Sequence, residues 1–186
     1  MSIQLRGGNQ LIDAIKVLQA GNIKQGETVA DLGCGTTGHF VFPAAHLVGP
    51  TGKVYAVDLQ KSVLAAIQSR EKLEGLDNVE TVWDDLEKAG RLKIPDGSVD
   101  LTLLLNILAQ VQDKATVLRE AARITKSHGQ LIISDWKLTA SPLGPPPANR
   151  LDPQTAKQLA LSAGWELTAE FEPGPYHYGL VFRKPS

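Results

Sequence analysis

Three groups of acids and one glycine loop are the residues of this chain whose types and spacing can do chemistry. Val29-Ala30-Asp31-Leu32-Gly33-Cys34-Gly35-Thr36-Thr37-Gly38 reads as a buried strand running into a glycine bend. Glycine permits positive φ in such a bend and lets backbone approach a ligand closely. The helix expected next offers unpaired N–H groups at its start, and Pro43 falls in or near its first turn, where a missing N–H costs little. Asp58 ends the following strand, where a carboxylate can accept both hydroxyls of a ribose. Asp84 and Asp85 end the third, where a carboxylate can accept a hydrogen bond from an adenine amino group. Each piece has a plainer reading as a turn or a helix cap. Three successive strand tips with polar ends nevertheless make one rim, and in open α/β sheets ligands bind outside the carboxyl ends of the strands.

Gly33, Gly35 and Gly38 also satisfy the spacing of dinucleotide-binding folds, with Asp58 where a ribose-binding acid belongs. That pattern alone does not separate a nicotinamide dinucleotide from S-adenosylmethionine. Asp31, two residues before the first glycine, suits a ligand with a sulfonium and an amino group better than a pyrophosphate. A dehydrogenase usually needs a further substrate domain, and little chain follows the expected sheet. The last two strands are joined by Glu172 to Tyr178, too short for a helical crossover, so they must be antiparallel neighbours.

The elements that position these residues alternate. Leu11, Ile12, Ile15 and Leu18 predict one face of a first helix within residues 1–22. Thr28 to Leu32, Val54 to Val57 and Val79 to Trp83 read as strands. Val63, Leu64 and Ile67 mark a helix that stops near Gly75. Val99 to Leu105 is apolar but for Asp100 and Thr102, as in a strand buried on both faces. Asp113 caps a helix to about Thr125, before a strand from Leu131 to Ser134. Asp152-Pro153 opens a last helix, and Leu167 to Phe171 with Gly179 to Arg183 close the sheet. Five βα repeats and a hairpin predict one doubly wound, mostly parallel α/β sheet over residues 1–186.

Composition narrows the function. Nineteen basic residues balance twenty acidic ones in 186, so no net field draws nucleic acid. Cys34 is the lone cysteine, which excludes a disulfide framework and a cysteine-rich zinc site and suits a cytoplasmic compartment. Met1 to Arg6 does not read as a signal peptide, and no apolar run approaches the ~20 residues of a membrane span.

At this point a resemblance is plain. Asp31-Leu32-Gly33-Cys34-Gly35 resembles the first motif of class I S-adenosylmethionine-dependent methyltransferases. Val54-Tyr55-Ala56-Val57-Asp58 resembles their second, and Asn78 to Asp85 their third. Asp96 to Asn106 and Leu118 to Leu131 are similar to the elements that follow, and the nearest subgroup is that of ubiquinone and menaquinone biosynthesis. The likeness runs from about Gly8 to the end. It implies a seven-stranded Rossmann-like sheet with its last strand antiparallel. It also implies that Asp31, Gly33 and Gly35 border the methionine part of the cofactor. Asp58 then holds the ribose with Leu59 on the adenine, Asp85 meets the adenine amino group beside Leu86, and Asn106 lies near the methionine end. The loop departs from the family pattern, because Thr36 and Thr37 both precede Gly38. Their hydroxyls either reach the ligand or cap the helix.

Methyl transfer needs alignment of the acceptor with an already activated leaving group, so neither a catalytic triad nor a metal cluster is expected. A general base helps only a weakly acidic acceptor. Candidates on the same rim are His39 after the glycine loop, Asp135 and Trp136 at the fifth strand's end, and His177 in the expected turn Pro175 to Tyr178. Each also has a structural reading as a cap, core or turn residue. Residues 137–152 hold a stiff proline-rich loop expected to lie over the acceptor. The leading expectation is a methyltransferase for a small molecule. An NAD(P)-dependent oxidoreductase and a non-catalytic S-adenosylmethionine-binding module stay open.

Overall fold

The computed structural model describes residues 11–90, 92–139 and 143–186. Seven strands make one sheet: β1 Thr28–Leu32, β2 Lys53–Asp58, β3 Val79–Trp83, β4 Val99–Leu105, β5 Thr125–Trp136, β6 Glu166–Gly174 and β7 His177–Arg183, in the order β3-β2-β1-β4-β5-β7-β6. The first five pair parallel. β7 is antiparallel to both β5 and β6. The apolar run of β4 sits at the sheet's centre, covered on both faces. The edge strand β6 carries exposed Glu166, Glu170 and Glu172, charges that discourage pairing with another chain.

Helices α1 Ala14–Ala20, α2 Val41–Val48 and α3 Lys61–Glu74 cover one face, where Val17, Phe42 and Ile67 meet Val29, Leu101 and Leu103. Helices α4 Lys114–Ile124 and α5 Pro153–Ser162 cover the other, where Val117, Leu118 and Ala160 meet Leu104, Ile133 and Phe182. Burying each large side chain contributes about 1.5–3 kcal/mol. Aspartates start three of the helices. Asp13, Asp113 and Asp152 accept from Ile15, Thr116 and Thr155 N–H at 3.0, 2.9 and 2.9 Å, satisfying donors that helix starts leave open.

Several expectations are corrected. α1 begins only at Ala14 and buries Ala14, Val17 and Leu18, while Ile15 faces solvent; residues 1–10 of the expected helix lie outside the described residues. The described residues between β3 and β4 form turns, so that repeat lacks the expected helix. β5 starts directly after α4, six residues before Leu131. The final turn is only Pro175-Tyr176, with His177 and Tyr178 buried in β7. Among the described residues, no helix is long and apolar enough to cross a membrane.

Candidate functional site

The parallel register brings the tips of β1 to β5 to one rim. The first bend is tight: Gly33 and Cys34 both donate N–H to the Val57 carbonyl, at 2.9 and 3.0 Å. The three loop glycines all have positive φ, but for different reasons. A Cβ on Gly33 would stand 2.7 Å from Ile107 Cδ1, and one on Gly38 2.4 Å from Phe42 Cε2. A Cβ on Gly35 would meet nothing within 4 Å. Gly35 therefore faces open space, and Gly38 serves close packing of the loop on α2.

That open space is a cleft of about 480 Å³. Gly33, Gly35 and Thr36 line it from the first bend, Asp58, Leu59 and Gln60 from the second, and Asp85 and Leu86 from the third. Ile107, Gln110 and Val111 close it from the segment after β4. Asp58 is held in place by two backbone donors, Gly35 N–H to Oδ2 at 3.3 Å and Gln60 N–H to Oδ1 at 2.9 Å. Asp85 accepts Glu87 N–H at 3.1 Å.

Asp31 lies behind this wall. It shares the face of Val29 and is 2 % exposed. Its Oδ2 has no hydrogen-bond partner. Burial, and secondarily the Asp58 charge, push its carboxyl from 3.8 to about 7.

A second cavity of about 430 Å³ adjoins the first. Asn106, Ala109 and Gln110 line it together with Asp135 and Trp136 at the end of β5, and Pro145 and Asn149 of the proline-rich loop. Gln110 lines both cavities. Asn106, lining the second cavity, has φ 57, a conformation that costs a non-glycine residue about 1 kcal/mol or more. It is held by Ser134, which accepts its N–H at 2.8 Å, and by Gln110 Nε2, which donates to its carbonyl at 2.6 Å. Asp135 is 1 % exposed and accepts N–H from Trp136 at 2.8 Å and from Ala109 at 3.3 Å. Burial raises its carboxyl above the ordinary range.

Arg150 organises the loop over this cavity. Its guanidinium donates to the carbonyls of Lys137, Thr139, Leu143 and Pro145 at 2.7 to 3.1 Å. It also lies 5.5 Å from the centre of the Trp136 ring. Gly144 packs against that ring so closely that a Cβ would fall 2.7 Å from it.

Other candidates fall elsewhere. Cys34 is buried among apolar side chains, where burial pushes its thiol pKa up, and it does not line the cleft. Thr37 is exposed, with its carbonyl held by Arg70 Nη1 at 2.7 Å. Neither Thr36 nor Thr37 caps α2, whose N-cap Phe40 has no side-chain bond. Asp84 lines a smaller adjoining hollow with Trp83, Lys88 and Lys93.

His39 and His177 line neither cavity. His39 Nε2 donates to the Ile12 carbonyl at 2.9 Å, and His177 Nδ1 donates to the Leu11 carbonyl at 3.1 Å. Each ring pins the segment before α1 to the rim, which does not fit the expected role of a base on the acceptor. Burial lowers His177 to about 4, and its ring packs 4.3 Å from that of Trp136. Gln60, Ile107, Gln110 and Arg150 were not among the sequence candidates. The positions just after strand tips Asp58 and Asn106 were the signal for the first three; nothing local marked Arg150.

The model of the family described as a methyltransferase domain matches residues 23–168. The chain belongs to this methyltransferase-domain family. The match spans the rim of this methyltransferase domain from β1 into β6. It is 34% identical over 113 residues to demethylmenaquinone methyltransferase of Geobacillus stearothermophilus, covering 61% of this chain and 47% of that one. It is 33% identical over 119 residues to the ubiquinone/menaquinone biosynthesis C-methyltransferase UbiE of Pasteurella multocida, covering 64% and 43%. The methyltransferase domain thus spans about half the length of the curated relatives it matches. Among solved structures, a SAM-dependent methyltransferase from Aquifex aeolicus superposes with a TM-score of 0.86 at 29% identity, covering 94% of this chain and 90% of that one. The doubly wound sheet with an antiparallel C-terminal pair is the fold they share.

Proposed function

We propose that this methyltransferase domain binds S-adenosylmethionine in the first cleft and methylates a small molecule held in the second cavity. One observation carries the reading: the two cavities share Gln110, with half-buried Asp58 and Asp85 lining the first and buried Asp135 lining the second. The cofactor fits the residues present. Asp58, fixed by two N–H donors, keeps free lone pairs for a diol. Asp85 offers an acceptor for an exocyclic amine, Leu59 and Leu86 offer apolar surface to a flat base, and the unpartnered Asp31 leaves a buried acid for a cation. S-adenosylmethionine supplies a methyl group on an already activated sulfur.

The chain's own work is then alignment and proton handling. Trp136, backed by His177 and Arg150, gives the acceptor a fixed flat wall. Asp135 is the candidate base. Its buried carboxyl, raised in pKa, is fit to take a proton from a hydroxyl or protonated amine as the new bond forms. The near-neutral charge balance and the small size of the second cavity favour a small acceptor over nucleic acid, and the buried thiol Cys34 suits the cytoplasm.

Thermal shift with S-adenosylmethionine, S-adenosylhomocysteine and NAD tests the first half, because a ligand stabilises the fold it binds. The two adenosyl ligands should raise the midpoint and NAD should not. A rise with NAD alone would refute the reading. An acceptor screen with methyl-labelled cofactor tests the second half. Transfer that persists in Asp135→Asn would remove Asp135 as base.

A further inference from the structure

Asp31, behind the cleft wall, is more deeply buried than Asp58 and Asp85, which line the cleft. Its strand alternates it onto the face covered by α1 and α2, where its neighbours are apolar. The titratable groups facing it are few. Asp58 reaches it from β2 with its charge, and the Cys34 thiol, pushed up by burial, faces it from the bend. β4 contributes Leu103 in register. His39, at the entrance to α2, is engaged by the Ile12 carbonyl. No described Lys, Arg or His forms an ion pair with Asp31. A second carboxylate nearby and no counter-cation make an ionised Asp31 costly in the empty domain.

We propose that loading of the methyl donor drives a proton off Asp31 into solvent, so that the empty cleft holds a neutral carboxyl and the loaded cleft a carboxylate. The inference rests on the cleft being the S-adenosylmethionine site. The O–H bond of Asp31 breaks, its proton passes to the buffer, and the ligand's cation becomes the counter-charge the protein lacks. The donor carries two cations, a sulfonium and an ammonium. S-adenosylhomocysteine keeps only the ammonium, and 5′-methylthioadenosine has neither. The same adenosyl group can therefore be presented with and without charge.

The raised carboxyl, near 7, sets the window. Below it the ligand must displace a whole proton; above it none. Affinity for S-adenosylhomocysteine should tighten about tenfold from pH 6 to pH 8 and then level off. Calorimetric titration near pH 7 in phosphate and in imidazole buffer, whose ionisation enthalpies differ, counts the protons directly. The wild-type domain should release about half a proton per S-adenosylhomocysteine bound. 5′-Methylthioadenosine should release none. Asp31→Asn should bind S-adenosylhomocysteine more weakly, with no proton released and no pH dependence.

Zero release with flat affinity in the wild type overturns the inference while leaving the cofactor assignment intact. Equal release in wild type and Asp31→Asn overturns it too, because another group would then be the source. Should Asp31→Asn not bind at all, the contrast between the two ligands on the wild type decides. Absence of any heat with either S-adenosylmethionine or S-adenosylhomocysteine overturns the proposed function, and this inference with it.

Discussion

Gly35 N–H meets Asp58 Oδ2 at 3.3 Å, tying the bend after β1 to the tip of β2. The bond makes Asp58 both a strut of the loop and the acid that faces the cleft. Asp58→Ala should leave the Gly35 and Gln60 N–H groups to solvent, at a cost of about 1–2 kcal/mol. It should abolish the thermal shift with S-adenosylhomocysteine. A full shift in the variant would show that the ligand sits elsewhere.

Gly35 and Gly38 should separate ligand binding from folding. Both have positive φ, so alanine strains each by about 1 kcal/mol. At Gly38 the new Cβ also collides with Phe42, and at Gly35 it enters open cleft. Gly38→Ala should therefore lower the melting midpoint strongly. Gly35→Ala should lower it little and weaken S-adenosylhomocysteine at least tenfold. Calorimetry and thermal melts of the pair check this, and equal melting losses would contradict it.

Asp31 also governs the stability of the unliganded domain. Its carboxyl is near 7 folded and near 3.8 unfolded. A folded value above the unfolded one stabilises fully below about pH 4, and that contribution disappears as pH rises to about 7. Asp31→Asn should consequently stabilise the empty domain at pH 8, by up to about 4 kcal/mol, with the gain shrinking toward pH 4. Urea melts at the two pH values measure it. A pH-independent difference would mean that burial of the amide, not ionisation, dominates.

Arg150 is one side chain holding four carbonyls of its own loop. Arg150→Met leaves those groups without their buried donor and should cost about 2–4 kcal/mol. Hydrogen exchange of residues 143–150 should accelerate well beyond that of α3, on the far side of the sheet. Uniform acceleration across both would indicate global destabilisation and no special hold on the loop. Arg150→Lys should not rescue it, since an ammonium cannot present the planar fork of a guanidinium.

Much of this domain was legible along the chain because the determining forces are local or periodic. The largely apolar segment Val99 to Leu105 reads as a strand covered on both faces, and Asp113 and Asp152-Pro153 announced α4 and α5 through capping chemistry. The bend at Gly33 to Gly35 and the acids Asp58 and Asp85 at strand tips placed the cleft, since parallel strands deliver their carboxyl ends to one rim. Tertiary packing decided what no pattern encodes. It turned Ile15 outward, because the face of α1 that packs on the sheet is Ala14, Val17 and Leu18. It made Gly38 a packing residue, and it gave His39 and His177 to the carbonyls of Ile12 and Leu11. It also left Asp31 buried without a partner and set Arg150 among four carbonyls. Burial and hydrogen-bond partners depend on residues distant in sequence, so the types of these side chains were plain from the start and their roles were not.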